Sequence, residues 1–511
     1  MKKGIVYIVG AGPGDTGLFT VRGKQCLETA DVVVYDYHVN AQLLSFASRN
    51  AEFIFAGKRG GHHTLTQDQI NAALIEHASL GKVVCRLKGG DPFIFGRGGE
   101  EAEVLVSAGI PFEVVPGISS AIAAPAYAGI PLTHRKFATT VAFIPGHEDR
   151  EKEESSIAWD KIVGVSTLVF LMGVKNLPFI AAQLMKYGRS ADTPIAIIRW
   201  GTRAEQASIT STLGGVVQLV KERDIRPPAV MVVGDVVNLR KSLKWFETKP
   251  MFGRRILVTR KHSDGFESLK KLGAEILEFP TIEQREPKSW DEADQAISEI
   301  ESYNWIVFTS KNGVVYFFKR FFELQRDIRD LKGIKICAVG PKTREKIEQY
   351  GLRVALVPEV FRAEGLVRAF GSVKGMRFLL PRAEEAREEF PEAVKAAGAQ
   401  ISVATVYRTI CPQHHGKQLI RFLKEGRITV ATFTSASTFN NLVSMTGHQA
   451  KDLLKNVTLA AIGPVTRQAI EKQGLKVTIM PEHSTVDAMV ESIRDWALDQ
   501  PRTNSKINRK K

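Results

Sequence analysis

The stretch RLKGGDPFIFGRGGEE, Arg86 to Glu101, packs charge and glycine together in a way that a solvated loop does not need. Gly89 and Gly90 let a ligand come close to the backbone, Pro92 fixes the turn after Asp91, and Arg97, Gly98, Gly99, Glu100 and Glu101 set charges on unhindered backbone. With Phe93, Ile94 and Phe95 beside them, these residues read as a binding site. An earlier turn, IVGAGPGD (Ile8 to Asp15), follows the apolar run Ile5 to Val9. Gly10 and Gly12 fit a dinucleotide fingerprint, but Asp15 stands where its third glycine belongs and would repel a pyrophosphate. Asp36, ending VVVYD, imitates the ribose-binding acid of such folds. The residues alone leave two readings open, a dinucleotide loop and a tight strand-to-helix turn without ligand. Further on, Ser119 and Ser120 lie among small residues, and Arg135 follows them.

Other chemistries find less support. Cys26, Cys85, Cys337 and Cys411 are far apart and have neither metal-ligand nor C-x-x-C spacing, so they read as buried reduced thiols. The pairs His62-His63 and His414-His415 are adjacent in sequence, which is poor geometry for chelating one metal, and no metal site is assigned. The formal net charge of +15 fits either nucleic acid or a small substrate rich in carboxylates. The charge is dispersed, and its one dense run is the tail Lys506, Arg509, Lys510 and Lys511, expected to be disordered, so composition does not choose between the two. No apolar run reaches the ~18 residues that span a bilayer, and the N-terminus reads as a strand rather than a signal peptide, so no membrane partner and a cytoplasmic location are expected.

These candidate residues need a scaffold. Short Val/Ile-rich runs bounded by Gly or Pro alternate with helical patterns along all 511 residues, from VYIVG and DVVVYD to VATFTS and TLAAIG. That alternation predicts an α/β chain of several lobes with mostly parallel sheets buried on both faces. Glu247 to Gly253 carries Pro250 and Gly253 without periodicity, and a fresh strand, Ile256 to Thr259, follows, so the chain divides near 249. The second half repeats itself: WIVFTSKNGVVYFF and ICAVGPKTREKIEQYG are echoed by VATFTSASTFNNL and LAAIGPVTRQAIEKQG. Equal spacing from Thr343 to Gly351 and from Thr466 to Gly474 predicts two like lobes whose strand ends face a ligand.

Residues 4 to about 246 resemble the uroporphyrinogen-III C-methyltransferases of the tetrapyrrole methylase family. The motifs, in order, are VGAGPGD, ADVVVYD, GKRGG, RLKGGDPFIFGRGGEE, VPGISSA, AGIPLTHR, FLMGV and Gly201-Thr202. The resemblance implies that the first glycine turn lines a cleft between two lobes where S-adenosylmethionine meets a tetrapyrrole. It implies cofactor contacts at Pro13, Gly89, Gly90, Asp91, Ile94, Ser119, Ser120, Met172 and Gly201. It implies Asp36 as proton acceptor, Lys58 as proton donor, and Arg97, Glu100 and Arg135 as groups that handle the macrocycle. A helix cap is the alternative role for Asp36, and a surface lysine for Lys58. TGLFT (Thr16 to Thr20) and FIPGHE (Phe143 to Glu148) depart from the family pattern and bear on loop shape. The family also implies a homodimer through this unit.

Residues 253 to about 495 resemble the uroporphyrinogen-III synthases, through VTR, FTSKNGV, AVGPKT, VYRT, FTSAS and AIGPVT. The resemblance implies units of 1–248 (lobes of about 1–115 and 116–248) and 249–498, with 253–284 plus 411–496 as one synthase lobe, 285–405 as the other, and 499–511 as a basic tail. Its reaction closes hydroxymethylbilane with inversion of the last ring, and no cofactor is implied. Tyr407 is its candidate catalytic group, with a hinge aromatic as the alternative, while Arg260, Thr309, Ser310, Ser435 and Thr466 are candidate carboxylate binders or helix caps. The second unit's product is then the first unit's substrate, held close by a flexible join, on a route toward siroheme or cobalamin. A dinucleotide-dependent oxidoreductase and a basic nucleic-acid-binding protein are the competing readings.

Overall fold

The computed structural model describes residues 3–48, 50–57, 65–147, 157–261, 264–358, 368–386, 388–412 and 416–500. Lys58, both histidine pairs and the basic tail lie outside them. The chain forms four five-stranded sheets. In the first, Ile5–Gly10 sits between Val83–Lys88 and Phe112–Val115, with Val32–Tyr35 and Glu52–Phe55 beyond Val83–Lys88, and every pairing is parallel. Helices such as Gln67–Ser79 and Gly98–Ser107 cover it, so Val6, Ile8, Val32, Val34 and Val84 are wholly buried. A continuous apolar run in these strands follows from burial on both faces.

The second sheet departs from the parallel expectation. Its order is Val141–Pro145, Thr167–Leu171, Ala229–Val233, Pro194–Arg199 and Ala207–Thr212, and only the first pair is parallel. The physical reason lies in the connections. Residues 200–206 are too few to carry a crossover helix, so Pro194–Arg199 and Ala207–Thr212 pair as a hairpin. The run IAIIR gives no warning, because a strand covered on both faces is apolar in either direction.

The third sheet is built from two distant pieces of chain. Arg255–Val258 pairs on one side with Glu275–Glu278 and on the other with Val430–Phe433, followed by Thr458–Ala461 and Val477–Ile479, all parallel. Between the pieces lies the fourth sheet, ordered Glu283–Arg285, Gln400–Ile410, Arg377–Ala383, Trp305–Phe308, Lys335–Ala338, parallel except for its short first strand. The sequence repeat is visible in both. Helices Lys311–Glu323 and Ala436–Thr446 start at Ser310 and Ser435, whose hydroxyls accept from the amides of Gly313 (3.0 Å) and Thr438 (3.2 Å). Helices Pro341–Glu348 and Pro464–Glu471 both open with proline after glycine. Val314, Phe317, Phe318 and Phe321 recur at helical spacing and are wholly buried, each stabilising by about 1.5–3 kcal/mol.

The join between the halves is packed rather than loose. The Trp245 indole donates to Ala126 O at 2.9 Å, and Glu247 accepts from Gln206 (2.9 Å), Ser208 (2.6 Å) and Arg240 (2.5 Å). Met251 is wholly buried, and its amide bonds Leu272 O at 2.9 Å. The sequence conceals this because the anchors of Glu247 lie up to 41 residues away. No helix among the described residues is long and apolar enough to cross a membrane.

Candidate active sites

In the first half, four loops converge at the ends of two sheets, and glycine lets them touch. Gly12 and Gly90 exchange amide–carbonyl hydrogen bonds of 3.1 and 2.8 Å, while Ala11 N donates to Lys88 O at 2.7 Å. A Cβ on Gly117 would stand 2.3 Å from Gly90 O and 2.7 Å from Gly10 Cα, so these backbones leave no room for a side chain. Asp91 spends both carboxylate oxygens on backbone: Oδ1 accepts from Phe93 N (2.8 Å) and Ile94 N (3.1 Å), and Oδ2 from Gly117 N (2.9 Å). Ser119 caps helix Ser120–Tyr127, against which Gly201 packs so closely that a Cβ would lie 2.4 Å from Ala124 Cβ. Gly89, Gly90, Asp91, Ser119, Ser120 and Gly201 therefore sit on loops that physically meet. Pro13 is half-buried beside them, and Met172 and Ile94 are exposed. Of the seven non-glycine residues with left-handed φ among the described residues, Phe95, Arg97, Trp200 and Thr202 lie on these loops, and Met172 follows strand Thr167–Leu171. Strain of this kind persists only where the surroundings over-determine the backbone, and it concentrates at functional sites.

Asp15 is not turned toward a ligand phosphate. Its Oδ1 accepts from Gly17 N (2.8 Å), its Oδ2 from the Tyr127 hydroxyl (2.8 Å), and its own amide donates to Thr202 Oγ1 (3.1 Å). Burial, with Asp15 beside it, pushes the Tyr127 hydroxyl up and keeps it a donor. The carboxylate is thus a clamp across the two lobes.

Behind the cleft lies a charge cluster that sequence reasoning missed. Arg86 holds Asp36 Oδ1 at 2.7 Å and Glu101 Oε1 at 3.1 Å, and Lys88 Nζ reaches the same Glu101 oxygen at 2.7 Å. Gln67 Nε2 adds a fourth contact at 3.1 Å, while Glu101 Oε2 has no partner among the described residues. Arg86, Lys88 and Glu101 are at most 2% exposed. Burial pushes the Lys88 ammonium down, with Arg86 adding to it, and Glu101 works against both. Removing one partner of such a buried set costs about 3–5 kcal/mol. The signal was available: two cations at alternate positions of the apolar strand VVCRLK must share one face. Asp36 itself keeps a half-exposed edge on the cleft. It is an ion-pair partner, not a helix cap.

The macrocycle candidates lie further out. Arg97 and Glu100 pair with each other in a bidentate fork of 2.9 and 2.5 Å on the exposed surface, and the pairing pushes the guanidinium up and the Glu100 carboxyl down. Arg135 is exposed on the loop after residue 130.

The second half presents a different site. The Ser310 hydroxyl lies 3.1 Å from the Tyr407 hydroxyl, and Tyr316 stacks on Tyr407 with centroids 5.7 Å apart. Ser310 is both a helix cap and the neighbour of Tyr407, whose side chain is largely buried. Thr309 is exposed at the end of Trp305–Phe308. In the other lobe, Arg260 and Ser435 lie just past the paired strands Arg255–Val258 and Val430–Phe433. Thr466 is buried, 3% exposed, in the first turn of helix Pro464–Glu471. Tyr316 was not foreseen, because nothing in YFFKRFF separates one aromatic from its neighbours.

Two family models cover these two sites. "Tetrapyrrole (Corrin/Porphyrin) Methylases" matches residues 5–217, and "Uroporphyrinogen-III synthase HemD" matches 266–491. The porphyrin biosynthesis protein HemD of Ruminiclostridium josui is 38% identical over 500 residues, spanning 96% of this chain and 98% of that one. The chain belongs to this family of fused tetrapyrrole enzymes. It is a bifunctional enzyme, a uroporphyrinogen-III C-methyltransferase and a uroporphyrinogen-III synthase, and its methyltransferase unit is of the S-adenosylmethionine-dependent kind. A uroporphyrinogen-III C-methyltransferase of Bacillus subtilis (strain 168) is 39% identical over 81% of this chain and 86% of its own length. An S-adenosyl-L-methionine-dependent uroporphyrinogen III methyltransferase of Methanosarcina barkeri (strain Fusaro / DSM 804) is 52% identical over 47% of this chain and 94% of its own. Of the readings the sequence left, the family is that of the tetrapyrrole enzyme.

Proposed function

We propose that the synthase unit, taken as 249–498, closes hydroxymethylbilane to uroporphyrinogen III with inversion of the last ring, and that the methyltransferase unit, 1–248, then methylates C-2 and C-7 to give precorrin-2. The observation that carries this reading is the joining of both units on one chain, so that the product of one is the substrate of the other. S-adenosylmethionine supplies an electrophilic methyl group. The cleft suits it: Gly89, Gly90, Ser119, Ser120 and Gly201 offer backbone and small side chains, Asp91 fixes that backbone, and Pro13, Ile94 and Met172 offer apolar surface.

The protein's main task in methyl transfer is alignment of the pyrrole carbon, which a cleft of interlocked backbones performs. The methylated ring must then lose a proton. Asp36 accepts it in this reading, with Arg86 holding the carboxylate toward the cleft at 2.7 Å. Lys58 is the paired donor, outside the described residues. Arg97 and Arg135 take substrate carboxylates, and a carboxylate reaching Arg97 replaces Glu100 in the same bidentate geometry. In the synthase unit, Tyr407 assists departure of the bilane hydroxyl, and Arg260, Thr309, Ser310 and Ser435 hold the acid side chains. No cofactor is needed there. The enzyme works in the cytoplasm as a homodimer joined through its methyltransferase unit.

One anaerobic coupled assay tests the reading. Full-length protein with hydroxymethylbilane and S-adenosylmethionine is expected to yield a dimethylated type-III product by mass and isomer analysis. Unmethylated type-I ring signals spontaneous closure and overturns the synthase assignment. Unmethylated type-III ring overturns the methyltransferase assignment.

A further inference from the structure

The synthase unit touches the methyltransferase unit at one place where the contact bears on the methyl-donor cleft. Glu275, on the edge strand of the third sheet, accepts from Ala204 N at 3.1 Å through Oε2. Arg255 holds the same Oε2 at 2.7 Å and Glu205 of the other unit at 2.5 Å, with only 6% of its side chain exposed. Gln42 Nε2 adds a bond to Ile276 O. The Glu275 and Arg255 contacts end on the turn 201–206, which is strained: Thr202 is 4% exposed with φ +71°, while the Gln42 bond ends on the segment Ala41–Phe46, whose cap Asn40 donates to Gly14 O at 2.8 Å.

That turn in turn fixes the first glycine loop. Thr202 Oγ1 accepts from Asp15 N at 3.1 Å, and Arg203 donates to His38 O at 3.0 Å. The Arg203 side chain lies so close to Gly14 that a Cβ there would stand 2.5 Å from its Nε. An unbroken run of contacts therefore leads from a synthase strand to the loop Gly10–Asp15. A strained turn keeps its geometry only while its neighbours hold it, and here one neighbour belongs to the other enzyme.

We infer that the synthase unit is a buttress for the methyl-donor loop, with Glu275 as a positioning residue for S-adenosylmethionine binding. The inference rests on the reading that this loop lines the donor site. The two activities then share a part: the synthase strand is a structural element of the methyltransferase cleft, although it touches no reacting atom.

The test uses full-length protein and S-adenosylhomocysteine as the titrant. Glu275→Ala is expected to weaken its binding about tenfold by calorimetry and to raise KM for S-adenosylmethionine by a similar factor, while methylation kcat and the synthase rate stay within twofold. Glu275→Gln keeps an oxygen for Ala204 N and is expected to lose threefold or less. Should Glu275→Ala fail to fold, Gln42→Ala, which removes only the bond to Ile276 O, is expected to lose about threefold. Affinity within twofold of the parent in the folded Glu275→Ala protein, or in Gln42→Ala when that variant stands in, overturns the buttress. A parent protein that does not bind S-adenosylhomocysteine overturns the donor-site reading instead, and the buttress with it.

Discussion

The two clefts of this chain are built in opposite ways. Around the methyltransferase cleft, glycine backbones meet without room for a Cβ, four non-glycine residues hold left-handed φ, and two cations share a buried carboxylate. In the synthase unit, the corresponding strand ends carry ordinary caps, with Ser310 and Ser435 opening regular helices and extended backbone at Gly340 and Gly463. The difference follows from the chemistry. Methyl transfer asks for one pyrrole carbon in line with one methyl group, and misplacement by about 1 Å costs on the order of 100-fold in rate. In the proposed cyclisation the bilane loses its hydroxyl readily and needs to be held in a curled shape, the task given there to hydroxyls and one phenol.

The comparison can be broken at its strongest point first. Asp36→Asn is nearly isosteric but removes the proposed proton acceptor. It is expected to lower methylation by about 1,000-fold and to leave S-adenosylhomocysteine affinity unchanged in calorimetry. Parental turnover would remove Asp36 from the mechanism. Next come two matched insertions of one methyl group. Gly117→Ala drives a Cβ into backbone atoms and is expected to lower methylation about 100-fold. Gly463→Ala, in the synthase unit, meets only the Ser484 side chain, its hydroxyl oxygen at 2.3 Å and its Cβ at 3.3 Å, in extended backbone, and is expected to change the synthase rate less than about threefold. Equal losses in the coupled assay would show that both clefts are equally intolerant. The mildest effect is expected of Tyr407→Phe. It removes the contact with Ser310 but keeps the stack on Tyr316, so the synthase slows by less than about tenfold and stability falls by about 1 kcal/mol in a denaturant titration. An unchanged rate would make Tyr407 a packing residue.

The same contrast explains what was legible in the sequence. RLKGGDPFIFGRGGEE and VGAGPGD stand out because close backbone contact admits glycine and little else, so the chemistry is written into residue type. Hydroxyl caps such as Ser310 use residues common to all helix starts, and their role emerges only when the fold places Tyr407 3.1 Å away. The α/β alternation and the doubling of the second half were readable from apolar runs and the repeat, while the two lobes of the first half were implied only by the family resemblance. The antiparallel pairings of Pro194–Arg199 were not, because two-sided burial erases the alternation that marks direction. The buried set of Arg86, Lys88 and Glu101 was half legible: the cations announce a shared face, but their carboxylate lies on a separate helix. Least legible was the packing of the join, since no local pattern predicts that Glu247 will be gripped by Gln206, Ser208 and Arg240.

The split third sheet has a consequence for the order of manufacture. Arg255–Val258 leaves the ribosome well before Val430–Phe433, the strand that must lie beside it. At a synthesis rate of about 5–20 residues per second, the wait is on the order of 10–30 s. Throughout that interval one edge of a wholly buried apolar strand has no partner, and an open edge of this kind is a template for pairing with the wrong chain.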